Sequence, residues 1–356
     1  MIKTLALTNF RNHKNYALNF NNITILIGPN GIGKTNIIEA IWLLASGRSW
    51  RTNHDLEAIC WGEDFAKIVG KIKKEGKEKS LELILQREAS GIKQNKTVKI
   101  NGVKKRLIEL LGETPAVLFS PEAIQMIDGP PLLRRRFLDI MLSQVDKKYA
   151  LCLLDFIKIL KGRNRLLFYI KIGNSKEDEL EFWDEKFIAL SKYLINRRKE
   201  AMDFFNQKVG ETYQLISGKK EDLYLEYRSS VEPGKIKDYL IASRRREIEQ
   251  AITLAGPHRD DFEIILDERD ITKFGSRGEY RSTVLALKML ELEFLAGEKE
   301  ERPVLLLDDI FSELDKERRM HLASIVSGQQ TIITTTDLDH IEKSLIDKAK
   351  LVELGE

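Results

Sequence analysis

The chain has 356 residues, 42% of them hydrophobic, and its 58 basic and 55 acidic residues leave a formal net charge of +3. That length is enough for two domains with hydrophobic cores, and the near balance of charges does not by itself indicate nucleic-acid binding. No stretch approaches the ~18 consecutive apolar residues of a membrane span, and the N-terminus does not read as a signal peptide. We therefore expect a soluble, cytoplasmic protein without a membrane partner. The two cysteines and five histidines lack metal-ligand spacing, which argues against a metal ion held by protein side chains alone.

Short strand-like segments alternate with glycine and asparagine turns over residues 1–120. Asn101-Gly102 predicts a hairpin, and a helix over 36–45 is expected to end near Gly47. This part is therefore predicted to be mixed α/β. Its predicted strands are KTLALTNF (3–10), NITILIG (22–28), FAKIVGKIKK (65–74), SLELILQRE (80–88) and KTVKINGV (96–103).

The middle of the chain has a helical pattern. Ser120-Pro121 predicts a helix N-terminus, and the helical pattern ends at about Gly256-Pro257. An amphipathic helix roughly forty residues long is predicted, interrupted afterwards by the strand DLYLEYRS (222–229) and followed by a helix over 237–254. The apolar stripe of the roughly forty-residue helix, at helical spacing, consists of Trp183, Phe187, Leu190 and Leu194.

The α/β pattern resumes after Gly256. The sequence predicts a strand FEIILD (262–267), a helix over 279–295, and the apolar strands VLLLDD (304–309) and QTIITTT (330–336), each followed by another helix. The predicted fold class is thus α/β, with one domain built from residues 1–120 and 256–356 and a mainly helical domain inserted over 121–255.

A phosphate-binding loop follows the apolar strand at residues 23–27 and opens the first helix. Glycines let successive backbone N–H groups point at a phosphate, and the helix N-terminus adds partial positive charge. Lys34 is expected to reach the β- and γ-phosphate oxygens, and the Thr35 hydroxyl to bind Mg²⁺. A kinase, a GTPase, a helicase or a mechanical ATPase would carry such a loop. The motif, G-x-x-x-x-G-K-[ST], comprises Gly28, Pro29, Asn30, Gly31, Ile32, Gly33, Lys34 and Thr35.

The second half of the site is predicted at the end of the strand VLLLDD. This strand delivers Asp308 and Asp309 at its carboxyl end, where parallel α/β sheets place their ligands. We expect Asp308 to bind Mg²⁺, directly or through water, and Asp309 to face the attacking water. The distance along the chain from Lys34 is larger than a compact small-molecule kinase needs.

Basic runs cluster between residues 130 and 250. Each run alone is compatible with a solvated helix face whose charge is offset by nearby acids. Together they are candidates for contacts with DNA phosphates. The candidates are Arg134, Arg135, Arg136, Arg163, Arg165, Arg197, Arg198, Lys199, Arg244, Arg245 and Arg246.

Further motifs carry a resemblance to a known family. The stretch DDIFSELD (308–315) looks like the Walker B end and D-loop of ABC-type ATPases, and FGSRGE (274–279) looks like a divergent signature motif. The chain resembles the RecF family of bacterial recombination mediators, which is related to the Rad50 and SMC heads. The other matching stretches are NFRNH (9–13), GPNGIGKTNIIEAIWLLASGRSWRTN (28–53), FSPEAIQMIDGPPLLRRRFLD (119–139), GPHRDDFEI (256–264) and TTTDLD (334–339).

The resemblance implies an ABC-type head whose ATP site is completed by a second copy of the chain. Ser276, Arg277 and Gly278 would then cap the γ-phosphate across an ATP-dependent homodimer. Arg11 and Asn12 resemble the segment beside the adenine in related heads. Thr336 or Asp337 would occupy the usual histidine switch position. Because Asp309 replaces the usual glutamate, Mg²⁺-dependent hydrolysis is expected to be slow.

The resemblance also implies partners. It implies ATP-dependent binding to double-stranded and gapped DNA, cooperation with RecO and RecR, and loading of RecA onto gaps coated with single-strand binding protein. Other readings are another SMC-like DNA ATPase and a transporter ATPase subunit, against which the long insertion and NFRNH argue. A small-molecule kinase has no use for the signature-like motif, and 356 residues leave no room for the arms of a structural SMC protein.

Overall fold

The structure is a computed structural model that describes residues 1–52, 54–87, 94–299 and 301–355. Glu88, the last residue of the fourth predicted strand, and Asn53, in the GRSWRTN stretch, lie outside the described residues. The described chain divides into two compact units, one formed by residues 1–123 and 281–356 and the other by residues 124–280. Across this described part, no helix combines the length and the apolar content needed to span a bilayer.

The strands are numbered in chain order. They are β1 (Ile2–Phe10), β2 (His13–Asn19), β3 (Ile23–Ile27), β4 (Phe65–Lys74), β5 (Lys77–Arg87), β6 (Gln94–Ile100), β7 (Val103–Lys105), β8 (Ala116–Phe119), β9 (Leu223–Arg228), β10 (Asp261–Leu266), β11 (Arg269–Asp270), β12 (Val304–Asp308), β13 (Thr331–Thr335) and β14 (Lys350–Glu353).

The α-helices are numbered in the same way. They are α1 (Lys34–Ser46), α2 (Gln125–Asp128), α3 (Pro131–Val145), α4 (Lys147–Lys171), α5 (Leu180–Asn206), α6 (Val209–Ser217), α7 (Ile236–Gln250), α8 (Ile271–Phe274), α9 (Arg277–Glu298), α10 (Ile310–Glu313), α11 (Lys316–Val326) and α12 (Lys343–Ile346).

A parallel sheet in the first unit positions the candidate site. Its strand order is β14-β3-β13-β12-β8, and every neighbouring pair runs parallel. β12 and β13 are buried along their whole length, as continuous apolar runs in parallel sheets usually are. Because β13 lies between β3 and β12, the carboxyl ends of these three strands meet at one edge of the sheet.

The second sheet of this unit is antiparallel, with the order β2-β1-β4-β5-β6-β7. Helix α1 contacts strands of both sheets and is buried along most of its length. A Cβ atom at Gly70 in β4 would lie 2.6 Å from Leu44 of α1, so glycine permits this close approach. The predicted hairpin at Asn101-Gly102 is present: both residues have positive φ, 52° and 77°, and Ile100 pairs with Val103.

The second unit combines α2 to α8 with a small antiparallel sheet of order β11-β10-β9. The long helices α4 and α5 pack against each other. A Cβ atom at Gly162 would overlap the Trp183 ring, so the helices cross closely at this glycine. Phe187 and Leu194 of the predicted apolar stripe are buried, while Trp183 and Leu190 are half-buried.

Two expectations about this region differ from the structure. Helix α5 has 27 residues rather than about forty, because the chain leaves the α-helix after residue 206 and a separate helix, α6, begins at Val209. The second junction between the compact units lies at 280/281 rather than at 255/256. The reason is that β10 pairs along its length with β9, a long-range pairing that the sequence of β10 alone does not reveal.

Candidate nucleotide-binding site

The loop of residues 28–33 joins β3 to α1 and depends on glycine for its shape. Gly31 and Gly33 have φ of 84° and 110°, values that favour glycine over residues with a Cβ atom. A Cβ atom at Gly33 would also lie 2.5 Å from His13 Nε2 and 2.6 Å from Asn12 Oδ1. Any side chain at Gly33 would therefore displace the segment that follows β1.

The Lys34 side chain folds back into this loop. Its ammonium group donates hydrogen bonds to the carbonyl oxygens of Gly28 at 2.6 Å and Pro29 at 3.0 Å. Burial lowers the pKa of Lys34, while the negative charges of Asp309 and Asp308 act in the opposite direction. The lysine charge thus lies inside the loop and within the field of both acids.

Asp308 lies at the centre of the hydrogen bonds at the sheet edge. Its Oδ1 accepts hydrogen bonds from the Thr35 hydroxyl at 2.9 Å and from the Thr334 hydroxyl at 2.8 Å. Burial raises the pKa of Asp308, the two hydroxyl donors lower it, and the charges of Glu122 and Asp309 raise it again. The structure therefore brings together the predicted ligands Thr35 and Asp308.

Asp309 has an unusual backbone and an unpaired side-chain oxygen. Its φ and ψ are 51° and 25°, in the left-handed region, and its N–H donates to Thr334 Oγ1 at 3.0 Å. Its Oδ1 is buried and has no hydrogen-bond partner among the described residues. Because an orphaned buried oxygen is costly in a folded protein, this atom marks a place for a water molecule or a ligand.

The residues predicted to lie beside the adenine are tied to the loop and to α1. Asn12 Nδ2 donates to the Ile32 carbonyl at 2.9 Å. Arg11 forms two hydrogen bonds to the Glu39 carboxylate, at 2.9 and 2.6 Å, and a third to the Glu57 carbonyl. The Glu39 side chain is fully buried, so the Arg11 guanidinium is committed to holding α1. A nucleotide-contacting role for Arg11 and Asn12 stays a prediction.

The predicted switch residues form a local turn after β13. Asp337 accepts a hydrogen bond from the Thr336 hydroxyl at 3.1 Å and another from the Asp339 N–H at 3.0 Å. Thr334, two residues earlier, instead reaches Asp308 and was not predicted from the sequence. The signal for it was present, because Thr334 is a hydroxyl residue near the carboxyl end of a buried parallel strand.

The signature-like residues belong to the second compact unit. Ser276, Arg277 and Gly278 are exposed at the N-terminus of α9. The Ser276 N–H donates to the Glu279 carboxylate at 2.6 Å, and the Glu279 N–H donates to Ser276 Oγ at 3.3 Å. This reciprocal pair is a capping box, so Ser276 has a structural role at α9 as well as the predicted contact with a nucleotide.

Three arginines that were predicted to contact DNA are buried in the structure, so the prediction is wrong for them. Arg134, Arg163 and Arg198 are 5%, 0% and 2% exposed. Their guanidinium groups bind acids inside the second unit: Asp261, Glu247 and Asp139 lie 2.8, 2.6 and 2.7 Å away, respectively. These arginines hold the helical unit together and do not present their charge to DNA.

The other candidates differ in their accessibility. Arg135, Arg136, Arg197, Lys199 and Arg244 are half-buried. Of these, Arg197 pairs with Asp146, Lys199 with Glu232 and Arg244 with Asp184. The exposed candidates are Arg165, Arg245 and Arg246. Arg165 contacts the Tyr169 ring, and the Arg245 side chain is 92% exposed beside Glu249.

Comparison with known proteins shows the family of the chain. Residues 1–354 match the RecF/RecN/SMC N terminal domain family. The DNA replication and repair protein RecF of Lysinibacillus sphaericus (strain C3-41) is 36% identical over 365 residues, which cover 98% of this chain and 96% of that protein.

Solved structures of RecF and of an Smc head domain are similar to this chain in fold. The structure of the recombination mediator protein RecF with ATP, of the RecFOR pathway, matches with a TM-score of 0.89 and 34% identity over 96% of this chain and 93% of that one. The Smc head domain of Pyrococcus furiosus matches with a TM-score of 0.55 at 18% identity, over 99% of this chain and 92% of that one; at this identity the likeness concerns the fold alone. The predicted fold class, an α/β head of the ABC type, is confirmed.

Proposed function

The chain belongs to the RecF family of DNA replication and repair proteins, and on that basis we propose that it is an ATP-driven, dimeric DNA clamp of the RecFOR pathway. The observation that carries the proposal is the Thr35–Asp308 hydrogen bond beside the unpaired Asp309 Oδ1. The hydrogen bond joins the two predicted halves of the ATP site, and the unpaired Asp309 oxygen is the one to which we assign the attacking water.

The residues at this edge fit Mg²⁺. Thr35 and Asp308 offer adjacent oxygen donors, which suit this hard cation. Among the described residues, no group of three or more His, Cys, Asp or Glu side chains is placed to hold a metal ion. A Mg²⁺ ion at Thr35 and Asp308 would therefore share its coordination with water and phosphate oxygens. When bound, it supplies positive charge against the negative charge that builds up during phosphoryl transfer.

The chain's own groups perform the other tasks. The N–H groups of the loop and the N-terminus of α1 hold the phosphates, and Lys34 supplies a charge from within the loop. Asp309, through its unpaired Oδ1, orients the attacking water. Because aspartate is one methylene shorter than the glutamate usual in related heads, we propose slow hydrolysis, as suits a switch. Thr336 or Asp337 senses the γ-phosphate from the turn after β13.

Dimerisation is proposed to depend on the signature-like segment. Ser276, Arg277 and Gly278 are exposed at a helix N-terminus, which provides N–H groups and partial positive charge for a phosphate. In this proposal they cap the γ-phosphate bound to a second copy of the chain. ATP would thereby link two protomers, and hydrolysis would release them.

DNA is the proposed macromolecular ligand. Two copies of the exposed cations Arg165, Arg245 and Arg246 would present positive charge to the sugar-phosphate backbone, which gives affinity without sequence preference. We propose that the dimer favours gapped duplex DNA, acts with RecR and RecO, and assists the loading of RecA on gaps coated with single-strand binding protein.

Binding to a fluorescent gapped duplex over a series of salt concentrations tests this function. If six to eight phosphates are neutralised, log K falls with log salt at a slope of about −5 to −7, and tight binding requires ATP. A flat salt response, or equal affinity with and without ATP, would contradict the clamp.

A further inference from the structure

Thr334 contacts both acids of the candidate site through one hydroxyl group. It lies in β13, directly opposite Asp308 of β12 in the parallel register, and is 1% exposed. Thr334 Oγ1 lies 2.8 Å from Asp308 Oδ1 and 3.0 Å from the backbone nitrogen of Asp309. One buried side chain thus bridges the carboxylate of one acid and the backbone of the next.

The direction of these hydrogen bonds follows from the donors. Because the Asp309 N–H can only donate, Thr334 Oγ1 accepts from it, and the single hydroxyl proton of Thr334 is left for Asp308 Oδ1. The Thr35 hydroxyl donates to the same oxygen. Asp308 Oδ1 therefore receives two hydroxyl donors, an arrangement that suits an ionised carboxylate and leaves its second oxygen outside these bonds.

The bond to Asp309 acts on a strained part of the backbone. Asp309 is held at a φ of 51°, and non-glycine residues in this region depend on surrounding contacts to stay there. Its N–H also approaches the Thr334 carbonyl, at 3.3 Å, but the hydroxyl bond is shorter. The Thr334 hydroxyl is therefore one of the contacts that hold the backbone of Asp309, the residue that carries the unpaired Oδ1.

We propose that Thr334 is a positioning residue that holds both Asp308 and Asp309 in the orientation needed for ATP hydrolysis. This inference rests on the proposed function, because it assigns a role within the same ATP site. Thr334 acts through the two acids: its hydroxyl orients the Asp308 carboxylate for the cation and holds the Asp309 backbone so that its carboxylate faces the water.

Three single substitutions in the full-length protein separate positioning from packing. Thr334→Val keeps the shape and removes the hydroxyl, while Thr334→Ser keeps the hydroxyl. Thr331→Val is the matched control, because Thr331 is a fully buried threonine of the same strand whose hydroxyl binds the Val326 carbonyl, away from the acids. The measurements are kcat for ATP, the Mg²⁺ concentration that gives half-maximal binding of a fluorescent non-hydrolysable ATP analogue, and the thermal unfolding temperature.

The expected result is specific to the hydroxyl group. Thr334→Val should lower kcat and raise the half-saturating Mg²⁺ concentration, each roughly 10- to 100-fold, as for other residues that orient metal ligands. Thr334→Ser should stay within a few-fold of wild type, and Thr331→Val should change only the unfolding temperature.

Two kinds of outcome would overturn the inference. The first is a Thr334→Val protein with wild-type kcat and wild-type Mg²⁺ dependence. The second is equal impairment in Thr334→Ser or in Thr331→Val, which would reduce Thr334 to a packing residue. If the wild-type protein itself binds no ATP, the proposed function fails and this inference with it, so the two failures are distinguishable.

Discussion

The Thr35 hydroxyl donates a hydrogen bond of 2.9 Å to Asp308 Oδ1, although the two residues lie 273 positions apart in the chain. The sheet explains this contact. β3, which leads into the loop, and β12, which ends at Asp308, flank β13 on its two sides, so their carboxyl ends converge. Substitutions of Thr35 and of Asp308 should therefore impair the same Mg²⁺-dependent step of the ATP cycle.

Replacing Asp309 should separate ATP binding from hydrolysis. Asp309→Asn keeps the size of the side chain but removes the negative charge next to the proposed water. Hydrolysis should fall by about 100-fold or more, and the ATP-bound dimer should persist. Single-turnover hydrolysis and sedimentation with ATP measure the two effects. Asp347→Asn, at an exposed aspartate beyond α12, controls for loss of charge; hydrolysis at the wild-type rate in Asp309→Asn would refute the assignment.

A bulky residue at the start of α9 should block the dimer without affecting ATP binding by the monomer. Ser276→Arg places a long side chain where the proposal puts the γ-phosphate of the partner. Ser276→Ala is the matched control, because it also loses the bond to the Glu279 N–H and costs about 1 kcal/mol of helix capping, but adds no bulk. Binding of ATP and particle mass are both measured. Loss of ATP binding by the monomer would show that the contact across the dimer is wrong.

The exposed and buried arginines should respond in opposite ways. The double variant Arg245→Ala/Arg246→Ala removes two positive charges from each protomer of the proposed dimer, so duplex binding should weaken and the salt slope should shrink by about 3 to 4, with stability nearly unchanged. Arg163→Ala leaves the fully buried Glu247 without its partner and should cost about 3–5 kcal/mol of unfolding free energy. Urea unfolding and duplex binding distinguish the two. A stable Arg163→Ala protein with weakened DNA binding would contradict the structural role.

His258 should make the stability of the protein fall in mild acid. Burial, and then the nearby positive charge of Arg259, lower its pKa to about 4, although the hydrogen bond to the Thr253 carbonyl acts in the opposite direction. Between the ordinary pKa of 6.5 and about 4, the unfolded chain holds a proton that the folded chain does not. Stability is therefore present above this window and is lost as the pH falls through it, by roughly 3 kcal/mol.

The substitution His258→Gln tests this dependence. Glutamine can still donate to the Thr253 carbonyl but does not titrate, so the loss of unfolding free energy between pH 7 and 4.5 should be smaller than in wild type. Urea unfolding at a series of pH values measures it, with His54→Gln as a control at an exposed histidine. An identical pH dependence in His258→Gln and wild type would show that His258 is not the group responsible.

The sequence predicts those parts of the site that are local. The loop of residues 28–35 is defined by its own glycines, and β12 by an apolar run that ends at two acids. The sheet order that brings Thr35 to Asp308 depends on pairing between distant strands. The sequence shows a hydroxyl residue, Thr334, near the end of a buried strand, but its partner Asp308 follows only from the register of β13 against β12.

The exposure of the arginines in the basic runs could not be predicted from the sequence. Arg163 and Arg165 are two residues apart, yet the first is fully buried and the second is exposed. The difference arises from acids elsewhere in the chain: Arg163 binds Glu247 of α7, 84 residues away. A run of arginines has the same composition in either case, and only the packing of α4, α5 and α7 decides which side chains face solvent.

In the proposed function, ATP joins two protomers into a clamp that holds DNA. The most direct test is the mass of the particle in solution, by sedimentation, with and without ATP and a gapped duplex, for the wild type and for Lys34→Ala. ATP should convert the wild-type monomer to a dimer, only the dimer should retain the duplex, and Lys34→Ala should stay monomeric. A wild-type protein that stays monomeric while it turns over ATP would contradict the proposed function.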